Sequence, residues 1–588
     1  MLPSSFFIRC MGALALALFP LTVPTIQAQA HAQETVACSG PHIGRIVVDN
    51  GDVFAPSRAD WKPVRWGMAL GNALHLRTSA AFIRNELLFR EGDCLDPWLL
   101  SESQRLLDSY RFLRAVSVTV EENGADPVTV RVRTLDEWST QVSGSVTYDD
   151  GINLERANIT ERNFLGRGID ARLSRYHRQE VRSRSFGVST PRLFGRTDAS
   201  IAFGDSPEGW HLGQRIAYPF LGETSRTSVS QSYQRSPVAF AYATGVEGGP
   251  SHVVVAHLRE AFELAAARRL GPPGASVIVG ASLRREATRM VEGPRPLAED
   301  DLWDGWRDAA PLPETLSRQL GDRGATRVAL HLGTRRYRYR EYQGLDAVRD
   351  LSNVGLGYFA GVTVGRSLPV LPFRGIPDAE DVFARVHGSY GIALGSSLLH
   401  GGMTAEAGRA DGLWRDVLMG ADFVAYGRSG ALPDHTLFVR LSAAGGGRTT
   451  LPFQLSLGGR DGVRSLPEDA VAGGRRLFLV VEDRVRLNWP DWSALDLGLT
   501  LFADAGRVWA GDAPYGMDSP WYASGGAGLR IGFPRGTRNI TRVDLAAPLA
   551  GGGSPVFRIT YEVNRIGSGF TSRDVDRSRR FNRGPEHF

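Results

Sequence analysis

Five segments near the C-terminal end, Leu477–Trp489, Leu495–Trp509, Trp521–Phe533, Thr541–Leu549 and Val556–Asn564, share one pattern. Odd-numbered residues tend to be apolar and even-numbered ones polar or glycine. In the first of them Leu477, Leu479, Val481, Val485, Leu487 and Trp489 alternate with a set that includes Glu482, Arg484, Arg486 and Asn488, and Asp483 is the one exception. Successive strand side chains point to opposite faces, so each segment has one apolar and one polar side. Beyond the N-terminal leader no stretch is apolar enough for a spanning helix, and a membrane can then be crossed only by a closed barrel. Trp489, Trp509, Trp521 and Phe533 fall at segment ends, where a barrel carries its interfacial aromatics. A soluble β-sandwich would turn its polar face outward instead. Glycine, at 68 of 588 residues, exceeds the usual share of roughly 7% and suits many strands and turns. The pattern predicts an all-β transmembrane barrel over residues 139–570, which at about 10 residues per strand accommodates about 16 antiparallel strands.

The chain ahead of the barrel differs. Arg9, the apolar run Met11–Pro24 and the small residues Ala28–Gln33 form a secretory signal, giving a cleaved leader at 1–32. Residues 33–138 read as a small α+β domain of order β-α-α-β-β: strand Ile43–Val48, helix Thr78–Arg90 with Thr78 as its N-cap, helix Pro97–Tyr110, and strands Ala115–Glu121 and Pro127–Thr134. With Cys10 in the leader, Cys38 and Cys94 remain as an even pair in an oxidising compartment, either bridged or as two free thiols. Within the barrel region Met290–Gly324 reads as a long external loop, and 571–588 as a polar tail.

Glu482 and Asp504 both fall on even positions and so share the non-lipid side. A glycine-rich loop carrying Arg464 precedes them, which suggests a loop folded inward and held by an ion pair. The motifs point further. With ERNFLGRG, GGRDGVRSLP, FADAG and GAGLRIGFPRG following one another in that order, the chain resembles the BamA/TamA superfamily of outer-membrane assembly proteins, the bacterial surface antigen family. NALHLRTSAAFIRNELLFREGD, SESQRLLDSYRFLRAVSVTVEENG and VTVRVRTLDEW are similar to a single polypeptide-transport-associated (POTRA) domain, and ERNFLGRG (Glu161–Gly168) is similar to the family's early periplasmic turn. GGRDGVRSLP (Gly458–Pro467) resembles the inward-loop motif. FADAG (Phe502–Gly506) and GAGLRIGFPRG (Gly526–Gly536) resemble the closing strands, with Phe502, Gly506, Gly528 and Arg530 as their motif residues.

The resemblance implies that Arg464 is the loop-tip arginine, Asp504 the carboxylate it pairs with, and Glu482 a second partner. Gly462, Val463, Ser465 and Leu466 complete the loop motif; Ser465 stands where the family has glycine and Leu466 where it has an aromatic. It also implies outer-membrane residence with the N-terminal domain in the periplasm. The expected partners are membrane lipid, unfolded outer-membrane or secreted client proteins, and periplasmic accessory proteins.

Enzymatic signals are poor. There is no G-x-S-x-G and no H-E-x-x-H, and the glycine pattern at Gly355–Ala360 has no strand–helix context, so no catalytic residue, metal or cofactor is expected. With 68 basic and 63 acidic residues spread along the chain, nucleic acid is not an expected partner. The function expected is assistance to the insertion, assembly or translocation of client proteins. A passive porin or receptor, or a two-partner-secretion-like transporter, is the alternative.

Overall fold

The structure is a computed structural model that describes residues 40–563, apart from 58–59, 122–125, 149–151, 179–180, 246–249, 299–300, 303–311, 370–375, 377–379, 460–461, 468–469 and 490–492. The leader expected at 1–32, Cys38, the C-terminal end of the barrel region from 564 and the tail at 571–588 lie outside the described residues.

An N-terminal unit holds β1 (Ile43–Gly51), α1 (Lys62–Leu74), α2 (Ala80–Glu86), α3 (Pro97–Ser109), β2 (Leu113–Glu121) and β3 (Val128–Asp136). β3 is central, parallel to β1 and antiparallel to β2. Ser79, rather than Thr78, caps α2 by accepting from Phe82 N at 3.1 Å, and Asp96 caps α3 by accepting from Trp98 N at 2.8 Å. Ile43, Ile83, Leu107, Leu113, Val130 and Val132 are fully buried between sheet and helices, each contributing roughly 1.5–3 kcal/mol of burial. The order expected from sequence, β-α-α-β-β, is corrected by α1. That helix was hidden because Trp66, Leu70 and Leu74 face away from Val64 and Met68, leaving no single apolar stripe, and Gly67 and Gly71 depress its helix propensity.

From Thr140–Tyr148 to Val556–Val563 the chain forms one antiparallel sheet of 20 long strands, not about 16. Sequence neighbours pair throughout, and the strand order returns the last strand beside the first. The count was underestimated in the middle of the chain, where strands of up to 24 residues are joined by tight turns such as Gly395–Ser396. Met290–Gly324 is corrected likewise: strand Ala275–Ala298 continues through Met290, and strand Arg323–Gln343 begins at 323. Gly355–Ala360 lies within strand Leu351–Ser367.

The sheet's two faces follow the alternation. Leu479, Leu501, Leu545, Phe557 and Ile559 stand exposed on the outside, whereas Glu482, Asp504 and Arg542 are at most 4% exposed inside. Asp483, the outward exception, pairs with His435 on the adjacent strand at 2.9 Å. Barrel width grows with strand number, and barrels of 16–18 strands already leave an aqueous channel. Twenty strands are too many for inward side chains to fill. Loops fill the space here.

Candidate functional site

The segment joining strands Leu432–Gly447 and Arg475–Arg486 folds into the barrel from the end opposite the N-terminal domain. Two short strands, Leu455–Leu457 and Val471–Gly473, pair antiparallel and stiffen its base. Its sharp bend falls at Gly458, with φ of +140° and with Pro467 O only 2.2 Å from where a Cβ would stand. The tip closes by Leu466 N donating to Val463 O at 3.2 Å. Ser465 keeps a negative φ, so the tip itself needs no glycine. Gly462 is buried against Gly458, and Val463, Ser465 and Leu466 are at most 4% exposed. Leu466 sits in an apolar cluster with Leu457, Phe478 and Val508.

Arg464, at this tip, meets three carboxylates on three strands. Its Nη2 donates to Glu482 Oε1, its Nε lies 3.3 Å from Asp504 Oδ2, and its Nη1 lies 3.8 Å from Asp544 Oδ2. Glu482, not Asp504, is the near partner, and the guanidinium spreads over three acceptors rather than gripping one bidentately. Its plane stacks 3.9 Å from the Phe502 ring centroid, a contact a lysine reproduces poorly. Ser524 Oγ holds Asp504 at 3.2 Å. Gly528 makes room for Asp544, whose Oδ1 lies 1.9 Å from where a Cβ would stand, and Gly506 makes room for Leu457 and Phe478.

Glu482 is also shared. Arg484 Nε donates to its Oε2 at 2.7 Å and Arg542 Nη1 to its Oε1 at 3.0 Å. Arg484 then reaches a second inward loop, which enters from the domain side. In that turn, 344–350, Leu345 is fully buried and Ala347 and Val348 nearly so. Arg484 Nη1 donates to Leu345 O at 2.9 Å and lies 3.3 Å from Asp346 Oδ1. Tyr426 Oη also donates to Asp346 Oδ1 at 2.5 Å. Arg530 donates to Asp346 O. Three guanidiniums (Arg464, Arg484, Arg542) thus meet four carboxylates (Asp346, Glu482, Asp504, Asp544), with Arg530 on the backbone of Asp346. Buried charge on this scale is tolerated only when balanced and hydrogen-bonded. Further toward the far end Gln319 accepts from Tyr242 Oη at 2.6 Å and donates to Thr449 Oγ1 at 2.8 Å, closing a third layer.

The N-terminal unit seats on the opposite end of the sheet. Ser79 N donates to Gly166 O at 2.9 Å, Asn163 Nδ2 to Thr78 Oγ1 at 2.8 Å, and Arg192 bonds Glu86 with both Nε and Nη2 at 2.5 Å. The ERNFLGRG stretch is therefore the hairpin that receives the domain. Gly166 has φ of +66° and stands against Arg77 O, 2.2 Å from where a Cβ would lie. Gly166→Ala is expected to weaken seating by about 1–3 kcal/mol, seen as faster proteolysis of residues 40–138 with the barrel intact; an unchanged cleavage rate would contradict this.

Glu137, 1% exposed, accepts from Thr537 Oγ1 at 2.7 Å at the same junction, with Arg114 Nε 3.9 Å away. Burial pushes its carboxyl up to about 7, against the pull of the Thr537 hydrogen bond and Arg114. A folded-state pKa above the unfolded value near 4.3 means the folded form binds the proton more tightly. That contribution is complete below about pH 4 and is lost as pH rises through 7. The domain's melting temperature is expected to fall between pH 5 and 8 by the equivalent of about 2–3 kcal/mol. Glu137→Gln should flatten the slope, and a slope unaltered in that variant would refute the assignment.

Cys94 is disulfide-bonded; Cys38 lies outside the described residues. Arg484, Arg542, Asp544 and the 344–350 turn were missed as site members by sequence reasoning. Arg484, Arg542 and Asp544 were nonetheless marked by falling on the even face. Among the described residues no group of three or more His, Cys, Asp or Glu side chains is placed to hold a metal.

No protein-family model matches the chain, and no curated protein matches it. Similar solved structures include BamA from Haemophilus ducreyi lacking POTRA domains 1–3, at 12% identity, covering 88% of this chain and 84% of that one, with a TM-score of 0.36. CdiB from Acinetobacter baumannii is similar at 11% identity over 89% of this chain and 74% of that one, with a TM-score of 0.38. The siderophore receptor PirA from Acinetobacter baumannii is similar at 10% identity over 76% and 69%, with a TM-score of 0.31.

Proposed function

We propose that this chain is an outer-membrane β-barrel that assists client proteins in inserting into, or crossing, that membrane, with its N-terminal domain in the periplasm and no enzymatic step of its own. The exposed apolar exterior and the buried interior charges support residence in lipid. One observation carries the functional part. The inward loop is bonded to the strands that lead to the junction of last and first: to Asn539–Ala550 through the Arg542–Glu482–Arg464 chain, and to Val556–Val563 through Arg558 Nη2, 3.5 Å from Arg464 O and Leu466 O.

Releasing Arg464 therefore loosens the wall beside that junction. A loosened junction presents unpaired backbone groups, which template strand pairing with a client. The domain's sheet, ordered β1-β3-β2, offers β1 and β2 as further edges for an extended segment. A passive porin needs an open lumen, and here inward segments enter from both ends, with Leu466 and Leu345 buried.

The test is quantitative outer-membrane proteomics after depletion, complemented with wild type or Arg464→Ala. Selective loss of other barrels or of one secreted protein, restored only by wild type, supports the proposal. An unchanged proteome would overturn it.

A further inference from the structure

Helix α1 has a face that no soluble surface would choose. Its inner side, with Val64, Met68 and Gly71, packs on Phe54 and on the barrel turn at Ser493–Ala494. Asp60 ties the helix start to that turn by accepting from Ser493 N at 2.9 Å. The opposite side carries Trp66, Leu70 and Leu74 at a spacing of four, 70%, 44% and 72% exposed, with Ala69 and Ala73 between them. From Pro63 to Leu74 that exposed side bears no charged residue; Arg65 is half-buried on the flank, and Lys62 stands at the start. Trp61, 69% exposed, precedes it.

The place of the helix says what covers this face. Phe54, which seats α1, lies 5.1 Å ring to ring from Phe533, the residue that follows strand Tyr522–Gly532, and Phe533 is 53% exposed. The turn after strand Arg475–Arg486 carries Trp489, 81% exposed. The packed side of α1 is thus seated at the domain end of the strands that carry these aromatics, with its exposed apolar side turned away from them. An apolar helical face with tryptophan and flanking basic residues, held at that end of the strands, fits the boundary between headgroups and acyl chains. We propose that α1 is an interfacial membrane anchor, its Trp66–Leu70–Leu74 face immersed in the periplasmic leaflet. It would hold the domain at a fixed angle beside the C-terminal strands. The inference rests on the outer-membrane reading of the barrel.

The full chain, with an environment-sensitive fluorophore on Leu70→Cys, is reconstituted in phosphatidylethanolamine/phosphatidylglycerol vesicles carrying brominated acyl chains. The same label on Leu501→Cys reports the barrel wall, and on Arg133→Cys the aqueous face of the domain. The expected result is quenching at least two-fold at positions 70 and 501 and none at 133. Quenching at 501 without quenching at 70 would overturn the anchor while leaving the barrel reading intact. No quenching at 501 would overturn the barrel reading and the anchor with it. A photo-crosslinker at Leu70 in whole outer membranes should yield lipid adducts; an adduct with a protein, or with a second copy of this chain, would assign the face to that partner and reject the lipid anchor.

Discussion

Glu482→Ala is expected to disturb the interior cluster that holds the inward loop more widely than any other single substitution in it. Glu482 accepts from Arg464, Arg484 and Arg542, so its loss takes a shared carboxylate from three guanidiniums at once in a site at most 8% exposed, leaving Arg464 and Arg542 to Asp504 and Asp544 and Arg484 to Asp346. Breaking a buried ion pair from one side costs about 3–5 kcal/mol, and here one carboxylate serves three partners on the loop, its own strand and a strand near the junction. The loop should become cleavable by protease from the far end in intact membranes, with the heat-resistant barrel retained. Arg464→Ala removes the loop's own contacts to all three carboxylates and should also release it, at a smaller cost to the wall, because Arg484 and Arg542 still compensate Glu482. Arg464→Lys should resemble alanine, since an ammonium cannot meet three carboxylates and stack on Phe502 together. The double variant Glu482→Ala/Arg464→Ala should fall short of the summed effects, as partners in one network do. Additive effects, or a loop that stays protected in Glu482→Ala, would disprove the shared lock.

The second large effect is expected at Asp136, the fully buried end of β3. Its carboxylate accepts from Asn50 Nδ2 at 3.0 Å and from His75 Nε2, Thr78 N and Thr78 Oγ1, each at 2.8 Å. Thr78 in turn accepts from Asn163 of the barrel hairpin, so the group organises both the domain and its seat. Asp136→Ala leaves several buried donors without an acceptor, at about 3–5 kcal/mol. For a unit of this size that is a large part of its whole stability. Calorimetry of the full chain should show the domain transition lowered by 10 °C or more, with the barrel transition unchanged. Asp136→Asn, which keeps an acceptor for Thr78, should recover part of the loss. An unaltered domain transition in Asp136→Ala would refute the assignment.

How far the sequence reaches depends on which physical signal a residue leaves. The C-terminal strands were legible because one face meets an apolar medium and the other a polar interior, so Leu501 and Glu482 announce their sides by parity. The middle of the sheet was not, because its glycine and arginine content blurs the alternation and its tight turns carry little punctuation; four strands went uncounted. Glu482 and Asp504 could be set on one side from their own numbers. That Glu482 lies nearer Arg464, and that Asp544 joins them, depends on barrel curvature and loop depth, which no spacing encodes. The 344–350 turn left one faint sign, the apolar Leu345, Ala347 and Val348 in a hairpin connection where polar residues are usual. Helix α1 escaped for the opposite reason: both of its sides are apolar, one against the barrel turns and one left exposed.

The measurement that bears most directly on this account is single-channel conductance of the purified full chain in planar bilayers, wild type against Glu482→Ala. A lumen plugged from both ends and joined at Glu482 predicts little or no steady conductance for wild type, and large, frequent openings once that carboxylate is removed. Wild type conducting steadily as a wide pore, at the level of Glu482→Ala, would contradict the plugged lumen and favour a passive channel.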